Sequence, residues 1–142
     1  MNEENKKANI REEIDRANDA IRAANLLFEN GFVRDGVSKL YYYLLYNIRA
    51  LLLTVGLEPK SHEGALRLFG PHFVKPGVFE AKDSHIFLKL MKFREEAYNP
   101  SYSFFPEDFT EFKSEAEGMI QKITNHLKNK GYLYDSIISA EM

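Results

Sequence analysis

Apolar residues recur every three or four positions through most of this chain, which is the spacing of one face of an α-helix. The strongest pattern runs from Asp35 to Val55, where apolar residues cover more than one side of the predicted helix. The side chains predicted to be buried there are Val37, Leu40, Tyr41, Leu44, Leu45, Ile48, Leu51, Leu52, Leu53 and Val55. A helix with so wide an apolar surface must be covered on several sides, so we expect it to be the central element of the domain.

A long amphipathic helix is predicted before this central helix. It is expected to begin at Asn9, which with Glu12 resembles a capping box, and to end at Asn30 and Gly31. Asp35 is the expected N-cap of the central helix. The connection between the two helices is short, which favours antiparallel packing.

Three more helices are predicted after the central helix. A short one begins after Ser61 as its N-cap and is interrupted at Gly70-Pro71, with one further turn at 72–74. A fourth is expected from Asp83 to Tyr98, and the last from Pro106, a first-turn proline, to Gly131. The fourth helix is expected to bury Ile86, Leu90, Phe93 and Ala97, with a second stripe of Phe87, Met91, Arg94 and Tyr98 on its flank.

The sequence contains no strand pattern, internal repeat or low-complexity tract. The expected fold class is therefore all-α, an antiparallel four-helix up-and-down bundle with one short extra helix. The 142 residues are long enough for one domain with its own core, so we expect a single domain over residues 1–142. Residues 132–142 are predicted to form an apolar C-terminal tail without a clear period.

Composition and charge exclude several classes of protein. The chain has no cysteine, so disulfides and thiolate metal sites are excluded. It has no apolar run of about 20 residues and no hydrophobic signal core at its N-terminus, so the expected location is the cytoplasm and not a membrane. The net charge of -2 argues against a protein that coats nucleic acid by bulk electrostatics. Residues 34–94 nevertheless contain twice as many Lys and Arg as Asp and Glu, which leaves room for a local basic surface.

A strip of polar groups lies on the less apolar side of the central helix. Ser38, Tyr42, Tyr46 and Arg49 are three or four residues apart, so their hydroxyls and guanidinium are expected along one line. The tyrosines are either core aromatics whose hydroxyls reach solvent or part of a ligand site. Both interpretations remain open at this point.

Two further positions are candidates for binding an anion. Lys60, Ser61 and His62 lie at a predicted helix N-terminus, where free backbone amides favour negative charge, although an ordinary exposed helix cap is the alternative. Arg94 lies on a flank with Tyr98, and a guanidinium there can bind a phosphate, stack on a base or pair with a carboxylate of another helix.

Metal and cofactor sites are not indicated. The four histidines, at positions 62, 72, 85 and 126, lack the helical spacing to carboxylates that a zinc or di-iron site in a bundle requires. No phosphate-binding glycine loop or nucleophile elbow is present. We therefore expect neither a metal nor a cofactor.

The order of these features resembles the HEPN domain family. The resemblance rests on the tyrosine-rich run 38–52, on Gly56-Leu57-Glu58-Pro59-Lys60-Ser61-His62-Glu63-Gly64, and on the helix end Phe93-Arg94-Glu95-Glu96-Ala97-Tyr98. It implies a bundle of four or five helices that forms a symmetric dimer. It also implies a nucleotide or RNA ligand, and a minimal nucleotidyltransferase as partner in a two-component or toxin–antitoxin pair.

Many proteins of this family are metal-independent endoribonucleases in which a histidine follows an arginine within a few residues. No histidine follows Arg94 in that window, where this chain has Tyr98 and Asn99, so a nuclease would need His62 or a tyrosine as base. The leading hypothesis is a binding module, and the alternatives are an endoribonuclease with a non-standard base, using Arg94, His62 and Tyr98, or a purely structural interaction bundle. The predicted ligand-binding residues are Tyr42, Tyr46, Arg49, Lys60, Ser61, His62, Arg94, Tyr98 and Asn99.

Overall fold

The computed structural model describes residues 2–133, and all regular secondary structure in that range is helical. The helices are α1 (Glu3–Glu29), α2 (Val33–Leu53), α3 (His62–Phe69), α4 (Ala81–Glu96) and α5 (Pro106–Asn129), with a π-helical turn at Gly70–Val74. This confirms an all-α bundle in which α3 is the short extra helix. Only the first two residues of the predicted tail fall within the described range.

Helix α2 is the centre of the bundle and contacts α1, α3, α4 and α5. The side chains of Leu40, Leu44 and Ile48 are fully buried, as the sequence predicted. Gly36 lets neighbouring elements approach closely, because a Cβ at this position would lie 3.1 Å from the Phe109 ring. Val55 was predicted to be buried but is 50% exposed, because α2 ends at Leu53 and the chain turns away.

The predicted starts of three helices need correction. Helix α1 begins at Glu3 and not at Asn9, because the Asn2 side chain caps it by accepting a hydrogen bond from the Asn5 amide at 2.8 Å. Helix α2 begins at Val33, which places Asp35 in its first turn and not at the N-cap. Helix α4 begins at Ala81 and ends at Glu96, two residues earlier at each end than predicted.

The buried face of α4 was only partly predicted. Leu90 and Ala97 are buried, but Ile86 and Phe93 are only half-buried. Phe87 and Met91, which were assigned to the flank, are buried as well. Helix α4 contacts α2, α3 and α5, so its covered surface is wider than a single stripe.

The chain continues without a break at Gly70-Pro71, where an interruption was predicted. The Lys75 amide donates to the Gly70 carbonyl at 2.9 Å, which is the hydrogen bond of a π-helical turn. All three residues of the predicted further turn, 72–74, therefore belong to helical structure that follows α3 directly. Within residues 2–133, no helix is long and apolar enough to cross a membrane.

Candidate functional site

Side chains from α2, α3 and α4 meet at one place on the bundle. We call Arg94, His62, Tyr41 and Tyr42 the Arg94 cluster. The Arg94 Nη1 donates a hydrogen bond to the Tyr42 hydroxyl at 3.1 Å. The guanidinium carbon lies 5.4 Å from the centre of the Tyr41 ring and 5.8 Å from that of Tyr42, within the range of cation–π attraction. The two rings therefore hold the guanidinium in a defined orientation.

His62 reaches the same cluster from the first turn of α3. Its Nδ1 lies 2.6 Å from the Tyr41 hydroxyl, and its ring centre lies 5.9 Å from that of Tyr42. Ser61 fixes the start of α3, because its hydroxyl accepts a hydrogen bond from the Gly64 amide at 2.9 Å. This confirms Ser61 as the N-cap, and the cap places the imidazole against the tyrosines of α2.

The environment of His62 favours its uncharged form. Burial lowers the pKa of His62 below its usual 6.5, and the positive charges of Arg94 and Arg49 lower this pKa further. Burial raises the pKa of the Tyr41 hydroxyl, although Arg94 acts in the opposite direction. At neutral pH the cluster thus combines an uncharged imidazole, the protonated phenol of Tyr41 and one fixed positive charge.

Arg94 has no carboxylate partner within residues 2–133, which answers the pairing alternative that the sequence left open. Its Nε is buried and has no hydrogen-bond partner there. Arg34 is different, since its guanidinium donates to the carbonyls of Ala97, Asn99 and Tyr102 and ties the end of α4 to α2. Arg34 is thus structural, whereas Arg94 keeps donors that the described protein does not use.

Two other predicted residues of α2 lie next to the cluster. The Tyr46 ring is centred 6.1 Å from that of Tyr42 and extends the aromatic surface by one turn. Arg49 lies one turn further along, where its Nε is 3.4 Å from a carboxylate oxygen of Glu13 on α1. Glu13 is 6% exposed, and burial raises its pKa while Arg49 lowers it. Arg49 therefore contributes charge near His62 but is already paired.

The remaining predicted residues lie outside the cluster. Tyr98 is 72% exposed just after the end of α4. The side chain of Asn99 accepts a hydrogen bond from the Ser101 amide at 3.0 Å and so belongs to the turn after α4. Lys60 is exposed, and Ser61 is occupied as a helix cap. The structure thus groups Tyr42, Tyr46, His62 and Arg94, while the ligand-binding role of all nine residues stays a prediction.

Sequence reasoning missed two residues of this region. Tyr41 was assigned to the core, and it is buried, but its hydroxyl also reaches His62. Lys39 was not among the predicted site residues, and its ammonium lies 5.9 Å from the centre of the Tyr42 ring. The signal for Lys39 was present in the sequence, because it lies three residues before Tyr42 on the same helix face.

The described residues, 2–133, contain no group of three or more His, Asp or Glu side chains that could hold a metal ion. The chemistry available at the Arg94 cluster is therefore that of a guanidinium, an imidazole and phenols. Such groups bind phosphates through charge-assisted hydrogen bonds and stack on flat rings.

The lowered pKa of His62 predicts an acid-sensitive fold. The folded protein favours the uncharged imidazole, so protonation costs stability as the pH falls from 6.5 through the lower pKa of the folded state. His126 acts in the same direction, because burial lowers its pKa too. We expect the Tm to fall between pH 7.5 and 5.5 and the fall to be smaller in His62→Gln. An equal fall in both proteins would contradict this environment for His62.

Comparison with known proteins agrees with this architecture. Residues 10–128 match the HEPN domain family. A Methanocaldococcus jannaschii protein named "Putative toxin" is 36% identical over 123 residues, which cover 84% of this chain and 92% of that protein. A UPF0332 protein of Thermotoga maritima is 31% identical over 117 residues, or 80% of this chain and 89% of the relative. The match includes residues of every helix from α1 to α5. With it the resemblance inferred from the sequence is confirmed: the chain belongs to the HEPN domain family.

Proposed function

We propose that this protein is a nucleotide- or RNA-binding HEPN module in which Arg94 receives a phosphate group of the ligand. The module acts as a dimer beside a minimal nucleotidyltransferase, in a two-component or toxin–antitoxin type of system. Membership of the family and relatives that carry the name "Putative toxin" support this role.

The proposal rests mainly on the scarcity of polar partners around the Arg94 guanidinium among the described residues. Its charge is not compensated by a carboxylate within residues 2–133, and its Nε has no hydrogen-bond partner there. A half-buried guanidinium is costly to leave in this condition, because buried donors normally find acceptors. A phosphate oxygen would supply the negative charge, and it would accept hydrogen bonds from the Nη groups of the guanidinium. Nearby Tyr42 and His62 would add neutral donors to the same group.

Binding of single-stranded RNA tests this function directly. We expect a dye-labelled oligonucleotide to bind in fluorescence anisotropy with a Kd on the order of 10⁻⁶–10⁻⁴ M at physiological salt. The affinity should fall as salt rises, since phosphate contacts release counterions. Absence of binding to RNA and to free nucleotides even at low salt would contradict the proposal.

The dimer and the partner need separate measurements. Light scattering should give twice the 16.5 kDa chain mass for the isolated protein. Addition of a purified minimal nucleotidyltransferase from the same genome should then give a larger complex. If the protein is a monomer and does not bind the nucleotidyltransferase, but still binds RNA, the dimer and the partner are excluded and only the ligand-binding function remains.

One observation favours a second candidate function, a metal-independent endoribonuclease. His62 and Arg94 both contact Tyr41 and Tyr42, so an imidazole lies near the arginine although none follows it in sequence. His62 could take the proton of a ribose 2′-hydroxyl while the 2′-oxygen attacks phosphorus and the bond to the 5′-oxygen breaks. The 5′-oxygen would leave with a proton from a water molecule, and Arg94 would stabilise the charge on the phosphorane.

A cleavage assay separates the two candidates. An endoribonuclease of this kind must cleave single-stranded RNA in the presence of a chelator, and both Arg94→Ala and His62→Gln must abolish the cleavage. A binding module leaves the RNA intact, and in that case His62→Gln changes only the affinity. Intact RNA after prolonged incubation with the purified dimer would rule out the nuclease.

A further inference from the structure

A second feature adjoins the Arg94 cluster, a cleft between α1 and α2 with a volume of about 710 Å³. This volume lies within the range of about 300–1,000 Å³ that is typical of small-molecule sites. The α1 side includes the small side chains of Ala20 and Ala23, which leave the space open. The α2 side includes the rings of Tyr42 and Tyr46, and Tyr98 closes one part of the lining.

The charge of the cleft is balanced. Arg16 and Lys39 contribute positive charge, and Asp19 and Asp35 contribute negative charge. Arg16 is also paired with Glu12 at 2.9 Å, and Asp19 is paired with Arg22. A chain of phosphates would meet two carboxylates in this cleft, so its lining does not favour a polyanion. An uncharged flat group with amino donors fits better, because the carboxylates can accept hydrogen bonds and the rings can stack.

Tyr42 joins the cleft to the phosphate site. Its ring lines the cleft, while its hydroxyl accepts the hydrogen bond from Arg94. A ligand with its phosphate at Arg94 is therefore next to the cleft, where the Tyr46 ring is centred 6.1 Å from that of Tyr42. In a nucleic acid, the group attached next to a phosphate is a nucleoside with its base.

We propose that the α1–α2 cleft is a nucleobase subsite, in which bases of a single-stranded RNA stack on Tyr42 and Tyr46 while a neighbouring phosphate binds Arg94. This proposal rests on the proposed function of Arg94 and adds the place where the bases of the ligand bind. Bases must be unpaired to enter such a cleft, because stacking on tyrosine requires an exposed base face. Stacking is tolerant of sequence, so the subsite selects single strands, and its carboxylates favour bases that carry an amino group.

The test compares an RNA oligonucleotide with an abasic oligonucleotide of the same length and backbone. Both carry the same phosphates, so the ratio of their Kd values reports the bases alone. The wild-type protein is expected to bind RNA at least about tenfold more tightly, as stacking of one or two bases implies.

Ala23→Phe fills the cleft from α1. It should bring the ratio of the Kd values for the abasic strand and for RNA close to one, and the Kd for the abasic strand should stay unchanged. Ala8→Phe is the matched control, because Ala8 is exposed on the same helix and does not line the cleft. Tyr46→Leu removes the stacking ring from the opposite wall and should act like Ala23→Phe, which keeps the test valid if one variant does not fold.

Equal Kd values for RNA and the abasic strand in the wild type would overturn the subsite, yet Arg94-dependent binding of both would leave the proposed function intact. If the wild-type protein binds neither RNA nor the abasic strand, the proposed function itself is contradicted. If Ala23→Phe changes the oligomeric state and not the base preference, a second copy of the chain covers the cleft, and the subsite proposal fails.

Discussion

Replacement of Arg94 by alanine is expected to weaken binding of single-stranded RNA by about 10- to 100-fold. The variant loses charge-assisted hydrogen bonds to the phosphate, each worth about 1.5–3 kcal/mol, and about 1.4 kcal/mol corresponds to tenfold in Kd. Anisotropy titrations at fixed salt measure this change. The fold should tolerate the substitution, because Arg94 makes one hydrogen bond, to Tyr42, and no ion pair within residues 2–133.

Lys92→Ala is the matched control for this experiment. It removes the same charge from the same helix, two residues earlier, where the side chain is exposed and outside the Arg94 cluster. We expect its Kd to change by less than about threefold, which is the general effect of one distant surface charge. Arg94→Lys should recover only part of the affinity, since an ammonium lacks the planar fork. A large loss of thermal stability in Arg94→Ala, with binding intact, would reject the assignment.

Replacement of Phe87 by alanine is expected to have the largest effect on stability. Phe87 is fully buried, and its ring centre lies 5.9 Å from that of Tyr41 in a stacked arrangement. Truncation of a buried Phe to Ala costs about 3–5 kcal/mol, against a total free energy of unfolding of about 5–15 kcal/mol for a domain. Urea denaturation measures the difference, and Phe87→Ala should also loosen the support of the Tyr41–His62 contact.

Phe105→Ala provides the comparison for Phe87, since it is the same substitution at a side chain that is 65% exposed. Its cost should stay within about 0.5 kcal/mol, as for most surface substitutions. If both variants lose the same stability, the packing of α4 against α2 described above is wrong.

The all-α fold and the central helix could be predicted because burial imposes a period on the sequence. In α2, the residues at helical spacing, such as Leu40, Leu44 and Ile48, are the ones that are fully buried. The same reasoning was insufficient for α4, which contacts three other helices and buries Phe87 and Met91 on what looked like a flank. Periodicity identifies a single covered face. Where a helix is covered from several directions, its buried residues can be identified only once the positions of the neighbouring helices are known.

Only the part of the candidate site that lies on a single helix could be predicted from the sequence. Tyr42, Tyr46 and Arg49 share a strip of α2, so their spacing was enough. His62 and Arg94 both reach this strip because of the way α3 and α4 pack onto α2. The spacing of residues along one helix does not predict that packing. The pairing of Arg49 with Glu13 is likewise a contact between helices and was not predictable from spacing.

The side-chain NMR signal of Arg94 tests the central claim most directly. In the protein alone, its Nε–Hε group has no acceptor within residues 2–133, so a bound phosphate should change the environment of this guanidinium strongly. Titration with single-stranded RNA is expected to shift the Arg94 Nε–Hε resonance and to leave that of exposed Arg67 on α3 in place. An Arg94 resonance that stays unchanged at saturating RNA, while signals elsewhere move, would show that the RNA binds at another surface.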